Sequence, residues 1–276
     1  MAGLISDDIR SEIKNSLRKT ITEKLNRVQP GTFSPFHQAL FPQWLPLAWQ
    51  FERTCSTALG KFFEKVAKLL ASNSRRYKTV ETQKRIEGYI SNAASSTINS
   101  IVTHLREGGI EKAVQQAVSS IGNPRKQEYI RKSPFNGLAS LVAGAFRAPN
   151  GSRKTIVIDL YLEGLDGTEY YFEMKSPLPN KDQCIATTEK FLWIHAMRPQ
   201  GKVVTKYAMA FNPFGDDRTT YRHSIAKKYL DLKTQVLIGQ EFWDLLAGEG
   251  AYLELLDVYK EVGQELIAEF ESKLQR

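Results

Sequence analysis

Several features that mark particular classes of protein are scarce or missing in this chain of 276 residues. It has only two cysteines, Cys55 and Cys184, which are too few for a disulfide framework or a zinc site. The longest apolar stretch, near Gly137–Phe146, is far short of the roughly 20 residues that a membrane helix needs. The first residues are acidic and amphipathic and contain no apolar signal-peptide core. We therefore expect a protein of a reducing cytoplasm, without a membrane segment.

What is present is typical of a globular protein. The chain is 42% hydrophobic and 25% charged, which excludes disordered, collagen-like and coiled-coil proteins. Its 38 Lys and Arg against 30 Asp and Glu give a net charge of +8, which is a weak hint of a polyanionic partner. Because no repeat and no Pro/Gly/Ser-rich linker divides the chain, we predict a single domain over residues 1–276.

Hydrophobic periodicity predicts that residues 1–150 are mainly helical. Apolar residues at helical spacing indicate helices from Ser6 to Leu25 and from Phe51 to Ala71, and further helical stretches continue to about Ile121. The sequence predicts that all four tryptophans are core residues: Trp44, Trp49, Trp193 and Trp243.

The pattern changes after residue 150. Lys154–Leu162 and Thr168–Lys175 are rich in β-branched and aromatic residues and flank the turn Gly164–Gly167, which predicts a β-hairpin. A helix over Asp182–Met197 and a strand over Val203–Phe211 follow. With residues 216–276 mainly helical, the order of elements predicts an α/β fold with a small mixed central sheet flanked by helices.

The hairpin carries three residues whose combination suggests chemistry. If its turn is centred near Asp166, Asp159 lies opposite Glu173 with Cβ atoms roughly 5 Å apart, and Lys175 lies on the same face. Two such carboxylates repel unless a cation neutralises them, and their hard oxygen atoms suit Mg²⁺. A lysine beside the metal can position or activate water and stabilise charge on phosphorus. The alternative is a solvated face with surface ion pairs.

These residues resemble the core of the PD-(D/E)xK nuclease superfamily. Asp159 would be the aspartate of the first strand, preceded here by Ile158 instead of the frequent proline, and Glu173-Met174-Lys175 would be the ExK element. Longer strings resemble the type II restriction endonucleases that cut GGNCC sites. They are FSPFHQALFP (Phe33–Pro42), FERTCSTALGKFFEKVA (Phe51–Ala67), EMKSPLPNKDQ (Glu173–Gln183), FNPFG (Phe211–Gly215) and IGQEFWDLLAGEGAYLELLDVYKEVG (Ile238–Gly263).

The resemblance implies a restriction-endonuclease-like core, formed by residues 151–215, with helical additions at both ends. It implies Mg²⁺-dependent hydrolysis of double-stranded DNA at a short GC-rich palindromic site, which leaves 5′-phosphate and 3′-hydroxyl ends. A homodimer would match the two-fold symmetry of such a site. A prokaryotic cytoplasm and a partner DNA methyltransferase are also implied. The alternatives are a structure-specific repair or recombination nuclease and a non-catalytic DNA-binding protein.

A further acid on the first long core helix is common in such nucleases. The pattern Gly60-x-x-x-Glu64 points to Glu64, which we favour as an assisting catalytic residue. On a helical wheel, however, Glu64 lies nearly opposite the apolar face and Glu52 borders it, so Glu52 remains open. The alternative for either glutamate is a surface residue without a catalytic role.

DNA contacts are expected from basic residues, since cations on phosphates supply most of the affinity. Arg218, Tyr221, Arg222 and His223 follow the loop 212–217, from which arginine can read guanine in the major groove. Gln183 either orients the phosphate or water, or belongs to the first turn of the next helix. The candidate phosphate contacts, each also explicable as a solvated face, are Arg75, Arg76, Lys78, Arg125, Lys126, Arg131, Lys132, Arg153 and Lys154.

The four histidines show no spacing typical of metal ligands. They are His37, His104, His195 and His223. His37 is expected to be a packed structural residue.

Overall fold

The computed structural model describes residues 4–27, 42, 44–145 and 151–274. They form two compact units: the first comprises Met1–Asn73 with Trp243–Arg276, and the second comprises Ser74–Phe242. The predicted parts 1–150, 151–215 and 216–276 do not follow these units, and folding as one domain stays a prediction. No helix in the described ranges is long and apolar enough to span a membrane.

Helices and strands in chain order are α1 (Asp7–Arg27), α2 (Trp44–Asn73), β1 (Tyr77–Ser91), α3 (Asn92–Gly108), α4 (Ile110–Ser119), α5 (Pro124–Lys132), α6 (Pro134–Gly144), β2 (Gly151–Gly164), β3 (Glu169–Met174), α7 (Lys181–Met197), β4 (Val203–Met209), α8 (Ser224–Tyr229), β5 (Val236–Ile238), α9 (Gln240–Ala247) and α10 (Ala251–Leu274). A short 3-10 turn covers Arg218–Thr220. The boundary between the units lies within α9.

The first unit is helical, as predicted. Ile13 and Leu17 of α1 are buried, and charged residues beside them on that helix form ion pairs with α10, among them Lys14 with Glu265 at 2.7 Å. Aromatic rings join α2 to α10: the ring of Phe62 lies 6.3 Å from that of Tyr259. Packing and surface charge therefore hold these helices together.

The second unit contains a five-stranded mixed sheet in the order β1-β2-β3-β4-β5. The pairs β1–β2 and β2–β3 are antiparallel, whereas β3–β4 and β4–β5 are parallel. The predicted α/β class with a small mixed sheet is confirmed. The predicted hairpin register is also present, because Leu160 pairs with Phe172 and Tyr161 with Tyr171. Gly167 in the turn has a φ of 77°, which suits glycine.

Strand β1 contradicts the prediction that helices continue to about Ile121. It pairs with β2 over almost its whole length, from Tyr77 opposite Gly164 to Ser91 opposite Gly151. Ile86 and Ile90, its buried apolar residues, are four apart, a spacing that suits a helix as well as a strand. Periodicity alone could not separate the two, and pairing with β2 decides for the strand.

Helix α7 supplies much of the core of the second unit. Phe191, Leu192 and Ile194 are fully buried.

Trp193 and Trp243 are buried as predicted, but the prediction is wrong for Trp49, whose residue surface is 46% exposed near the start of α2. The side chain of Trp44 lies outside the described residues.

Candidate active site

The hairpin strands β2 and β3 separate where the three predicted site residues lie. Their ladder ends at the pair Leu160–Phe172. Beyond it, a carboxylate oxygen of Asp159 accepts a hydrogen bond from the backbone N–H of Met174 at 2.9 Å. A side chain thus replaces the backbone partner that a continued ladder would supply, so the N–H of Met174 is satisfied where the ladder stops.

The side of β2 that faces β1 is also irregular at the position of Asp159. Gln83 of β1 has a φ of 52°, a left-handed conformation that costs energy in residues other than glycine. Its amide nitrogen lies 3.5 Å from Asp159 Oδ1. The regular pairs Thr82–Leu160 and Lys84–Ile158 lie on either side.

This irregularity corrects one part of the predicted hairpin faces. Regular alternation would put Val157, Asp159 and Tyr161 on one face. Instead Val157 is 43% exposed, whereas Tyr161 is buried in the same hydrophobic cluster as Ile158. The side-chain alternation therefore shifts at Asp159, which turns its carboxylate towards the end of β3.

Lys175 joins the two acids of the site. Its Nζ lies 2.9 Å from Asp159 Oδ2 and 3.0 Å from Glu173 Oε2. Glu173 is only 1% exposed, and Asp159 is largely buried. Burial by itself would lower the pKa of Lys175, but the hydrogen bond to Asp159 and the charges of Glu173 and Asp159 outweigh it and raise that pKa above its usual value. The ammonium group thus stays charged between the carboxylates.

A second lysine, which sequence reasoning missed, contacts Glu173 from the other side. Lys190 of α7 donates a hydrogen bond to Glu173 Oε1 and another, of 3.0 Å, to the carbonyl oxygen of Val157. The only sequence signal was a lysine directly before the apolar run Phe191–Ile194 of that helix. Its contact with Glu173 depends on how α7 packs on the sheet, and no local motif encodes that.

The donors present are compatible with Mg²⁺. Two carboxylates converge on one cationic group, and Mg²⁺ is usually held by one or two carboxylates together with water and substrate phosphates. Among the described residues, no group of three or more His, Cys, Asp or Glu could hold a metal ion. The set therefore fits an ion that shares its coordination with substrate better than a zinc site built entirely of protein ligands.

The two candidates for the helix acid lie in the other unit. Glu64 is half-buried on α2, and Glu52 is exposed and accepts a hydrogen bond from the Ser56 hydroxyl at 2.6 Å. Asp159, Glu173 and Lys175 belong to the second unit. The choice between Glu64 and Glu52 stays a prediction.

The predicted base-reading residues lie in different environments. Tyr221 is buried, and its hydroxyl donates to the carbonyl of Pro177 at 2.7 Å, a position that does not favour contact with DNA. Arg218 is paired with Glu241 and donates to the carbonyl of Val236. Arg222 is exposed, with its guanidinium 5.3 Å from the ring of Phe214. His223 instead caps α8 by accepting from Ala226 N–H.

Gln183 takes the structural position that was its alternative. Its side-chain oxygen accepts from the N–H of Asn180, and its own N–H donates to the Asn180 side chain, which together form a capping box at the start of α7. A DNA contact by Gln183 stays a prediction.

The candidate phosphate contacts are mostly exposed, and several pair with other groups. Arg153 forms an ion pair with Glu87, while Lys154 lies 3.6 Å above the ring of Trp193. Lys78 lies 3.7 Å from Glu163, and Lys132 pairs with Glu128. The remaining exposed members are Arg75, Arg76, Arg125, Lys126 and Arg131.

The described histidines are structural in their contacts. His195 lies mostly buried 3.2 Å from the Thr205 hydroxyl, and burial lowers its pKa to about 4. His104 contacts the Ser100 carbonyl at 2.7 Å. His37 lies outside the described residues.

Comparisons with known proteins agree over most of the chain. The model of the family described as type II restriction endonuclease, HinfI, matches residues 1–263. The type II restriction enzyme HgiBI of Herpetosiphon aurantiacus is 35% identical over 246 residues, which cover 88% of this chain and 82% of the relative. HgiCII of the same organism is 32% identical over the same shares. MjaII of Methanocaldococcus jannaschii is 25% identical over 225 residues, 76% of this chain and 53% of that enzyme.

Proposed function

Because the chain belongs to the HinfI family of type II restriction endonucleases, we propose that it cleaves double-stranded DNA at a short GC-rich palindromic site of the GGNCC type. Cleavage requires Mg²⁺ and leaves 5′-phosphate and 3′-hydroxyl ends. The observation that supports this chemistry most directly is one ammonium group shared by two buried carboxylates where the hairpin strands separate.

Asp159 and Glu173 would hold the metal. Bound Mg²⁺ would polarise the phosphate and make a nearby water more acidic. The protein contributes a buried carboxylate, since Glu173 is 1% exposed. It also holds the Asp159 carboxylate in place through the hydrogen bond from Met174 N–H. A rigid, buried pair of acids loses little free energy to reorganisation during the reaction.

Lys175 provides the positive charge that acts on the reacting phosphate. Its ammonium group orients the attacking water and stabilises the negative charge that builds up on the phosphate oxygens in the transition state. Glu64 assists as the helix acid. Since these contacts strengthen in the transition state, loss of Lys175 lowers the cleavage rate more than DNA affinity.

DNA would be held by the basic residues around this acidic centre. Arg75, Arg76, Arg153 and Lys154 contact phosphates, while Arg218 and Arg222 read bases. Two copies related by a two-fold axis bind the palindromic site. The enzyme works in a prokaryotic cytoplasm, where a partner methyltransferase protects the host DNA.

Digestion of a fully sequenced plasmid tests the proposal. Purified protein with Mg²⁺ is expected to give discrete fragments whose ends fall at GGNCC-like sites and carry 5′-phosphates, and EDTA should abolish cleavage. DNA that is bound but left uncut would contradict nuclease activity. Ends scattered without regard to sequence would instead indicate a structure-specific nuclease.

A further inference from the structure

Glu173 is neutralised by two lysines, each on a different oxygen. Oε2 faces Lys175 at 3.0 Å, and Oε1 accepts from Lys190. A carboxylate that is 1% exposed needs such compensation, because an unpaired buried charge is very unfavourable. One lysine would be the minimum, so the role of the second needs explanation.

Lys190 is anchored to both strands of the hairpin. Its Nζ contacts Val157 O of β2 and Glu173 of β3, both of which lie beyond the last pair of the ladder, Leu160–Phe172. It extends from a part of α7 that is fixed by buried neighbours, among them Phe191 and Ile194. The side chain therefore carries the rigidity of the core to the position of Glu173.

The two lysines differ in what they share. Lys175 contacts both acids, so it occupies the side on which the carboxylates converge. Within the described part of the chain, the ion pair of Lys190 is with Glu173, and none joins it to Asp159. Oε1 is thus held by the helix, whereas Oε2 and the Asp159 carboxylate face each other across Lys175.

We infer that Lys190 is a positioning residue of the active site, which holds Oε1 of Glu173 so that Oε2 stays directed towards Asp159 and Lys175. This inference rests on the proposed function, because it assigns Oε2 and Asp159 to the Mg²⁺ that both acids would hold. In this role Lys190 would act through Glu173 and not by direct contact with DNA or metal. It acts by limiting the freedom of a ligand, as outer groups around metal sites do.

The first test is a thermal-stability cycle of Lys190→Met, Glu173→Gln and the double variant. With Glu173 charged, loss of Lys190 leaves Oε1 unpaired, and the melting temperature should fall by about 5 °C or more. With Glu173→Gln as background, the same replacement should cost less than about 2 °C. An equal loss in both backgrounds would overturn the pairing, and the double variant remains available if Lys190→Met alone does not fold.

The second test separates positioning from simple structural support. At saturating Mg²⁺, Lys190→Met should lower the single-turnover cleavage rate by about tenfold or more, while DNA affinity without metal stays within about twofold. Lys190→Arg should recover most of the rate, and Lys181→Met, which removes the same charge from the same helix, should leave it unchanged.

Two results would overturn the inference: a wild-type rate for Lys190→Met at saturating Mg²⁺, or no recovery with Lys190→Arg. Failure of the proposed function looks different. In that case the wild-type protein does not cleave with Mg²⁺, while the thermal-stability cycle still reports whether Lys190 and Glu173 are coupled.

Discussion

Two buried acids in the second unit are neutralised in contrasting ways. Asp231, which is 6% exposed, accepts hydrogen bonds from the backbone N–H groups of Phe135 at 3.1 Å, Lys233 at 3.0 Å and Thr234 at 3.3 Å, and from the Thr234 hydroxyl. Glu173 is buried more deeply, yet its ion-pair partners are the ammonium groups of Lys175 and Lys190.

The two carboxylates differ in whether their hydrogen-bond donors can move away from them. Backbone N–H groups are fixed, so Asp231 ties the start of α6 permanently to the segment before β5. The ammonium group of Lys175 stands on a flexible stem and is shared with Asp159, so it can turn to a phosphate or give way to another cation, whereas Lys190 stays anchored through Val157 O. A buried carboxylate whose donors are all fixed is therefore typical of a structural role, whereas a movable cationic partner such as Lys175 indicates a functional site.

The largest expected effect is the loss of catalysis when Lys175, the movable partner of Glu173, is replaced. Lys175→Ala should lower the cleavage rate about 1000-fold, because it removes a charge that acts in the transition state. DNA affinity, measured by fluorescence anisotropy, should change little. The matched control Lys202→Ala, an exposed lysine bonded to the Asp166 carbonyl, should cleave normally. Normal cleavage by Lys175→Ala would remove the functional half of the comparison.

For Asp231, whose donors are fixed, the expected effect is on the stability of the folded protein. Asp231→Ala should lower the free energy of unfolding by about 3 kcal/mol, because several buried donors lose their acceptor. Urea titration measures this loss. The cleavage rate of the folded fraction should stay near that of the wild type. A stable but inactive variant would show that Asp231 is not merely structural.

A buried base extends the comparison to pH. Burial lowers the pKa of His195 from 6.5 to about 4, so the folded state disfavours the protonated ring. Stability from the neutral ring is complete above about pH 6.5 and is lost as the pH falls towards 4. The free energy of unfolding should drop by about 2 kcal/mol between about pH 7 and 5 from this group. His195→Gln should lack this component in urea titrations at both pH values, and an unchanged pH dependence would contradict the assignment.

The smallest effect concerns backbone strain near Asp159, one of the two acids that pair with Lys175. Gln83 is left-handed and near Asp159, whereas no described residue around Asp231 other than glycine has a positive φ. Gln83→Gly should relieve this strain and raise the free energy of unfolding by about 0.5 to 1 kcal/mol. Thr82→Gly, the neighbouring control, should lower it by about as much. Destabilisation by both would indicate that Gln83 is not strained.

Sequence reasoning succeeded where local chemistry decides structure. The turn at Gly164–Gly167 and the alternation of flanking residues predicted the hairpin register and thereby the approach of Asp159 and Glu173. The place of Gln183 in the first turn of α7 was foreseen as an alternative. Sequence reasoning failed for β1, because Ile86 and Ile90 suit either a helix or a strand. The strand that pairs with β1, β2, lies some 70 residues later in the chain.

By itself, the sequence determined that an Asp, a Glu and a Lys share one hairpin, since turn type and the two-residue repeat of a strand are local properties. Tertiary structure decided that the strands separate there, that alternation shifts at Asp159, and that Lys190 of a packed helix holds the far oxygen of Glu173. The physical reason is that neutralising a buried carboxylate is a three-dimensional requirement. Any cation that the fold brings near can meet it, and spacing along the chain does not record which one does.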